Sequence, residues 1–215
     1  MKIVFVDGFK IRNTLDDDFG NYQESGYKIS SFYLKPYIPE GEFWVDHIFK
    51  DEVDFLIKLK DFEAPQAKNY SEEREIMKKT FCLPGPIPNF VQKKESAENG
   101  LNIVYVDGKI VRQYLDPEFI FGGHEFVYSY VPKNEIWIDA KTDPAEIKYI
   151  IIHEAKEREL MSAGMPYDPA HDIATATDKA ARRADGIGAY PGDENYLWYG
   201  LTNEEIIKQY VVSRM

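Results

Sequence analysis

The chain has 215 residues, of which 44% are hydrophobic and 29% are charged. This composition is typical of a folded protein with a sizeable core, and it excludes disorder as the main state. Lys and Arg number 26 against 37 Asp and Glu, so the formal net charge is −11 at pH 7. Binding to nucleic-acid phosphates requires clustered cations, so we expect no nucleic-acid partner.

The single cysteine, Cys82, allows no internal disulfide and no cysteine-based zinc site. The first residues reach Asp7 too early for the apolar region of a signal peptide, and the apolar runs are too short to cross a bilayer. We therefore expect a cytoplasmic protein without a membrane partner. A protein or peptide partner stays open, and the sequence does not define the oligomeric state.

An internal repeat organises the chain, because Ile3-Val-Phe-Val-Asp-Gly8 recurs as Ile103-Val-Tyr-Val-Asp-Gly108. Each copy continues with an arginine (Arg12, Arg112) and with a tryptophan-containing block around Trp44 or Trp137. Pro, Gly and charged residues between the copies are typical of a linker. We expect a degenerate repeat module at residues 1–80, a linker at 81–100, a second module at 101–184, and an irregular segment with a terminal helix at 185–215.

In both copies an Asp-Gly pair stands between two apolar runs, which favours a type I′ hairpin. A second pair of runs, residues 126–131 and 135–139, flanks a turn, and alternation in the latter places Ile136 and Ile138 on one face. The predicted fold is α+β, with two related modules of antiparallel β-hairpins followed by helices.

The helix ends are marked most clearly in the second copy. Asp143 as N-cap, Pro144 at the first position and Gly164 beyond the end predict a helix over residues 144–163. Asp168 and Pro169 begin a second helix, which is predicted to end near residue 183. A capping box at residues 202–205 predicts a terminal helix that reaches residue 213.

On a helical wheel, the first of these helices places His153, Glu154 and Glu157 on the same face as Ile150. A buried carboxylate costs several kcal/mol unless it is paired, protonated or bound to a cation. We therefore expect a partner that compensates these side chains, and we choose His171 on the next helix, at its third position.

His153, Glu157 and His171 would form the ligand set of an open catalytic zinc site, or a site for another divalent ion. His153 and Glu157 are four residues apart on one helix, so both side chains can bind the same ion. Glu154 would lie beside the metal and act as the catalytic base. Asp178 and Arg182, further along the second helix, would support the ligands from behind.

Several alternatives compete with this interpretation. The His-Glu-x-x-Glu string could be a solvated helix face, or His153, Glu157 and His171 could form a metal-free hydrogen-bonded network with Arg158 or Arg182. His124, after two glycines, is more typical of a loop, although the glycines could bring it near the site. His47 is interpreted as a surface residue.

A family resemblance lies in Ile136-Trp-Ile-Asp139, Asp143-Pro-Ala-Glu146 and Ile150-Ile-Ile-His-Glu154. This run resembles the strand and active helix of small zincin metallopeptidases of the ImmA/IrrE type, whose motif is His-Glu-x-x-His with a downstream ligand. Here Glu157 replaces the second histidine and His171 follows, a pattern similar to uncharacterised phage and metagenomic proteins. The resemblance covers roughly residues 135–183 and implies a zincin-like second module that performs hydrolysis.

The first copy serves as an internal control. In the register that pairs Trp44 with Trp137, the residues that correspond to His153, Glu154 and Glu157 are Lys60, Asp61 and Ala64. The ligands are absent from this copy, and Pro65 would end its helix early.

Two functions of different classes follow from these patterns. The first is a metal-dependent hydrolase, a zincin-like metallopeptidase with a degenerate N-terminal copy. The second is a non-enzymatic, phage-type structural or interaction protein with a buried His/Glu network. If a phage encodes the chain, its location would be the virion or the host cytoplasm.

Overall fold

A computed structural model describes residues 1–16, 19–24, 38–96, 100–188 and 202–215. The chain divides into two compact units, residues 1–56 with 179–215, and residues 57–178. Both helices and strands are present, and the strands form two four-stranded sheets, one in each unit. The predicted α+β class is therefore confirmed.

The elements of the described residues follow one another in this order: β1 (Lys2–Val6), α1 (Gly8–Thr14), β2 (Tyr22–Glu24), β3 (Glu42–Asp46), a 3-10 helix (His47–Glu52), α2 (Val53–Lys60), α3 (Tyr70–Phe81), β4 (Val91–Ser96), β5 (Asn102–Val106), α4 (Gly108–Tyr114), β6 (Gly122–His124), β7 (Glu135–Asp139), α5 (Pro144–Ser162), α6 (Tyr167–Ala184), α7 (Asn203–Lys208) and β8 (Val211–Arg214).

Both sheets have the same pattern of parallel and antiparallel pairs. The strand order is β2-β3-β1-β8 in the first sheet and β6-β7-β5-β4 in the second. The two central strands are parallel in each sheet, β1 with β3 and β5 with β7, and the outer strands are antiparallel to their neighbours.

The predicted hairpins at the Asp-Gly pairs are wrong, because each pair begins a helix. Asp7 is the N-cap of α1, and its carboxylate accepts the backbone N–H of Lys10 at 2.9 Å. Asp107 caps α4 in the same way through the N–H of Ile110. The strand before each of these helices pairs in parallel with β3 or β7, and the short strand that directly follows the helix is antiparallel to that same partner.

A buried ion pair explains why glycine follows each capping aspartate. Arg112, fully buried on α4, donates to Asp139 at the end of β7 at 2.9 Å. A Cβ at Gly108 would overlap the Asp139 carboxylate, so only glycine fits there. In the first unit, Arg12 and Asp46 form the corresponding pair at 3.0 Å beside Gly8.

The second sheet is covered on both faces. One face packs Val104, Val106 and Trp137 with the apolar residues of α4, and the other packs Ile103, Ile136 and Ile138 against Ile150 of α5. The prediction that Ile136 and Ile138 share a face is confirmed. Helix α5 thus packs directly on β6 and β7, and the polar residues on its inward side lie at this face of the sheet.

The long helices match their sequence signals closely. Helix α5 begins at Pro144, where Asp143 accepts the N–H of Ala145, and ends one residue before the predicted position 163. Helix α6 begins at Tyr167, so Asp168 lies in its first turn rather than at its N-cap. His171 is therefore the fifth residue of α6, and the predicted third position is wrong.

Two predicted elements differ from the structure. Residues 126–131 form turns, and the antiparallel partner of β7 is instead the strand Gly122–His124. The capping box is present, since Thr202 and Glu205 exchange hydrogen bonds, but α7 ends at Lys208. Residues 211–214 instead pair with the edge of β1, because an open strand edge offers hydrogen bonds that an isolated helix end lacks.

The expected linker at 81–100 contains β4, which is an edge strand of the second sheet. Residues 57–80 group with the second unit, and residues 179–184 group with the first. Most of the segment expected to be irregular, residues 189–201, lies outside the described residues. Among the residues that are described, no helix is both long and apolar enough to cross a membrane.

Candidate metal centre

Two helices of the second unit bring the predicted ligands together. His153 and Glu157 lie one turn apart on α5, and His171 lies on α6. Glu157 is buried, His153 is mostly buried, and the side chain of His171 is 41% exposed. The site therefore has a closed side against the sheet and an open side at His171.

The three side chains converge on one point. His153 Nε2 is 3.2 Å from His171 Nδ1 and 3.6 Å from Glu157 Oε2, and His171 Nδ1 is 2.7 Å from Glu157 Oε2. Ligand atoms held about 2.0–2.1 Å from a tetrahedral zinc ion lie roughly 3.3 Å from one another. The observed separations bracket that value, so the three donor atoms are spaced closely enough to hold one zinc ion.

Asp178 fixes the orientation of His153. Its carboxylate oxygen Oδ2 lies 3.0 Å from His153 Nδ1. Because an ionised carboxylate only accepts hydrogen bonds, Nδ1 donates, and a metal ion at Nε2, where the three side chains converge, would replace the second ring proton. Burial lowers the pKa of His153, but hydrogen bonds with Asp178 and Glu157 outweigh it and raise the pKa to about 10.

Glu157 is held as a carboxylate by three imidazoles. Burial raises its pKa, whereas hydrogen bonds from His124, His153 and His171 lower it well below the usual range. His124 reaches Oε1 at 3.0 Å, on the side opposite to the other two rings, which approach Oε2. The carboxylate is therefore ionised and oriented, as a metal ligand must be.

His124 is a hydrogen-bond donor in this arrangement. It is fully buried on β6, and its Nδ1 accepts the backbone N–H of Phe126 at 3.2 Å. Since Nδ1 carries no proton, the neutral ring has its proton on Nε2 and donates it to Glu157. His124, Glu154 and Glu157 also lie close enough to hold an ion, but that proton occupies the lone pair which a ligand would need.

Glu154 lies beside the three predicted ligands and lines the cavity described below. No described residue donates a hydrogen bond to its carboxylate. Burial raises its pKa, although the nearby histidines act in the opposite direction. Gly122 makes room for it, because a Cβ there would come within 3.3 Å of Glu154 Cγ and 2.8 Å of Ile150 Cγ2.

A cavity of about 560 Å³ opens onto these residues. Its outer walls are aromatic: Tyr70, Phe126 and Tyr167 are among the exposed large side chains, and the Tyr167 ring stacks on His171 with 5.3 Å between ring centroids. The remaining wall is lined by Arg74, Glu118, Ile120, Gly122, Val127, Tyr128 and Met161. The donor set is thus accessible to a small molecule or to a segment of chain.

The structure places the other residues singled out in the sequence as follows. Arg182 donates to Asn13 at 2.8 Å. Arg158 makes a two-pronged ion pair with Glu125. His47 is half-buried, with Nδ1 3.2 Å from the carbonyl oxygen of Val6.

Sequence reasoning underestimated His124 and missed Arg74 and Tyr70 as cavity residues. The Gly-Gly pair before His124 was the available signal, since glycines allow a close approach to a helix. Arg74 and Tyr70 belong to α3, and no local pattern indicates where that helix packs.

In comparisons with known proteins, no family model, no curated protein and no solved structure matches this chain.

Proposed function

We propose that the protein is a metal-dependent hydrolase that holds one zinc or other divalent ion with His153, Glu157 and His171. The observation that carries this proposal is the convergence of two imidazole nitrogens and a carboxylate oxygen, separated by 2.7–3.6 Å, at the wall of an open cavity. Three protein ligands with an open position are typical of catalytic rather than structural zinc.

The roles of the residues follow from their contacts. A divalent ion at such a site lowers the pKa of water and polarises a carbonyl group. Asp178 orients His153, and His124 orients Glu157. Glu154, which accepts no hydrogen bond from the described residues, takes the proton of the attacking water and returns it to the leaving group. The ImmA/IrrE-like motif supports a peptide or another amide as the substrate.

A metal-free interaction protein is the second candidate. It is supported by the hydrogen bonds of Glu157, since His171 at 2.7 Å and His124 at 3.0 Å can satisfy its carboxylate without an ion. In that case the polar cluster would fix the packing of α5 on α6, and the aromatic side chains around the cavity would contact a partner. Metal content distinguishes the two candidates.

We also propose that the two sheets arose by duplication and that only the second copy kept the site. The common strand order and the pairs Arg12–Asp46 and Arg112–Asp139 support it. In the first copy, α2 ends at Lys60, which pairs with Asp61 at 2.6 Å. A crystal structure in which the first sheet does not superpose on the second would contradict the duplication.

The test is elemental analysis of protein purified without a histidine tag. We expect one ion per chain, and loss of the ion in Glu157→Ala and in His171→Ala. Glu159→Ala is the matched control, since Glu159 is an exposed residue of the same helix. Glu154→Gln should keep the ion and lose hydrolysis of a mixed peptide library. An ion-free wild-type protein, or full occupancy in both ligand variants, would contradict the proposal.

A further inference from the structure

Arg74 is the cationic side chain in the wall of the metal cavity that is not a candidate ligand. It comes from α3, its side chain is 19% exposed, and its guanidinium lies over the ring of Tyr128 at 5.0 Å. A guanidinium held over an aromatic ring by a cation–π interaction can still donate hydrogen bonds from its N–H groups. The position is thus suited to recognition of a ligand in the cavity.

Most hydrogen-bond donors of Arg74 are unused. A guanidinium has five N–H donors. Among the residues that the structure describes, Arg74 donates one hydrogen bond, from Nη2 to Asp116 at 2.8 Å. Its Nε lies 3.4 Å from Glu118 but makes no hydrogen bond, although it is buried. An unmade hydrogen bond is costly at the buried Nε, so a ligand that supplies an acceptor there would be favoured.

The surrounding charges favour a monoanion over a dianion. Asp116 is fully buried and is shared between Arg74 and Lys78, and Glu118 lies on the cavity wall. A carboxylate brings one negative charge and two acceptor oxygens that match the guanidinium edge. A phosphate brings close to two negative charges and would be repelled more strongly by the two acidic neighbours.

We propose that Arg74 binds a carboxylate of the substrate, so that the hydrolase acts on peptides or acylated amino acids that carry a free carboxylate near the cleaved bond. The inference rests on the proposed function, because the metal centre in the wall of the same cavity would hold the reacting carbonyl. The exposed rings of Tyr70, Phe126 and Tyr167 would contact the apolar part of the same substrate.

The test uses hydroxamates, which bind zinc directly, as probes of the zinc-loaded full chain. Calorimetry compares the monohydroxamates of succinic, glutaric and adipic acid with alkyl hydroxamates of the same lengths. We expect at least one carboxylate-bearing probe to bind about tenfold or more tightly than its alkyl partner. Because the chain has a formal net charge of −11, non-specific electrostatics would favour the opposite order. A phosphonate in place of the carboxylate should bind more weakly.

The variants assign the preference to Arg74. Arg74→Met should abolish it, and Arg74→Lys should reduce it while keeping the charge that pairs with Asp116, which guards against a failure of Arg74→Met to fold. Lys78→Met is the matched control, because Lys78 pairs with the same Asp116 at 3.3 Å but does not line the cavity. It should leave the preference unchanged.

The outcomes separate the two proposals. If the protein binds neither zinc nor another divalent ion before the probes are added, the proposed function fails. If zinc binds and every carboxylate probe equals its alkyl partner, or if both Arg74 variants keep the preference, the role of Arg74 is wrong and the metal centre stands. A stronger affinity for the phosphonate would also overturn the carboxylate assignment.

Discussion

Replacing Asp178 with alanine should weaken zinc binding although Asp178 is not itself a ligand. Its carboxylate accepts the Nδ1 proton of His153 at 3.0 Å and thereby points Nε2 at Glu157 and His171. Without it, the ring can rotate or carry its proton on Nε2, and both states remove one of three ligands. Asp178→Asn keeps an oxygen that can accept the same hydrogen bond, so its effect should be smaller.

The magnitude follows from the position of Asp178 behind a ligand. Loss of such a partner typically lowers metal affinity by about 10- to 100-fold, which corresponds to roughly 1.4–2.7 kcal/mol. The effect should not extend to the whole fold, because the other ligands and their contacts on α5 remain. Asp172→Asn is the matched control, an exposed carboxylate on the same helix.

The assay is competition with a chromophoric zinc chelator between about pH 6 and pH 9. Asp178 also raises the pKa of His153, so its removal lessens competition by protons at low pH. If orientation dominates, Asp178→Ala binds zinc more weakly at every pH. Equal affinity at the alkaline end, or tighter binding in Asp178→Ala throughout, would refute this explanation.

Two further predictions concern a buried histidine and the cysteine. His124→Ala should weaken zinc binding about 10- to 100-fold, because Glu157 loses a hydrogen-bond donor. His124→Gln should restore most of the affinity, because its amide can donate to the same oxygen. If His124→Gln does not restore the affinity and the wild-type protein binds a second zinc ion, His124 is a ligand. Burial, with Asp116 acting in the same direction, raises the pKa of Cys82 to about 11. Alkylation at about pH 8 should therefore be roughly 100-fold slower than in the urea-unfolded chain, because the thiolate fraction is smaller, and it should still rise with pH near pH 10. Equal rates in the two states would contradict this.

The sequence determined the features whose causes are local. Helix α5 begins and ends within a residue of its prediction because Asp143, Pro144 and Gly164 act on the adjacent turns. The same periodicity placed His153 and Glu157 on the face that packs inward, since a helix presents residues four apart on one side. The need of a buried carboxylate for a partner predicts His171, which lies 2.7 Å from Glu157.

Tertiary structure decided the features that depend on distant residues. An Asp-Gly pair is compatible both with a hairpin turn and with the start of a helix. In the structure it starts a helix, and that arrangement includes the buried pair Arg112–Asp139, whose members are 27 residues apart. Residues 211–214 form a strand only because β1 offers an edge almost the whole chain away. These are long-range contacts, which no window of neighbouring residues contains.

The candidate site divides in the same way. Its two helices could be located from their own residues, but His124 joins it through β6 and Arg74 through α3. The tautomer that makes His124 a donor depends on one backbone N–H, that of Phe126. The sequence thus determines the types and the spacing of the candidate ligands. The directions of lone pairs and protons are set by packing, because each proton position depends on the partner that the fold supplies.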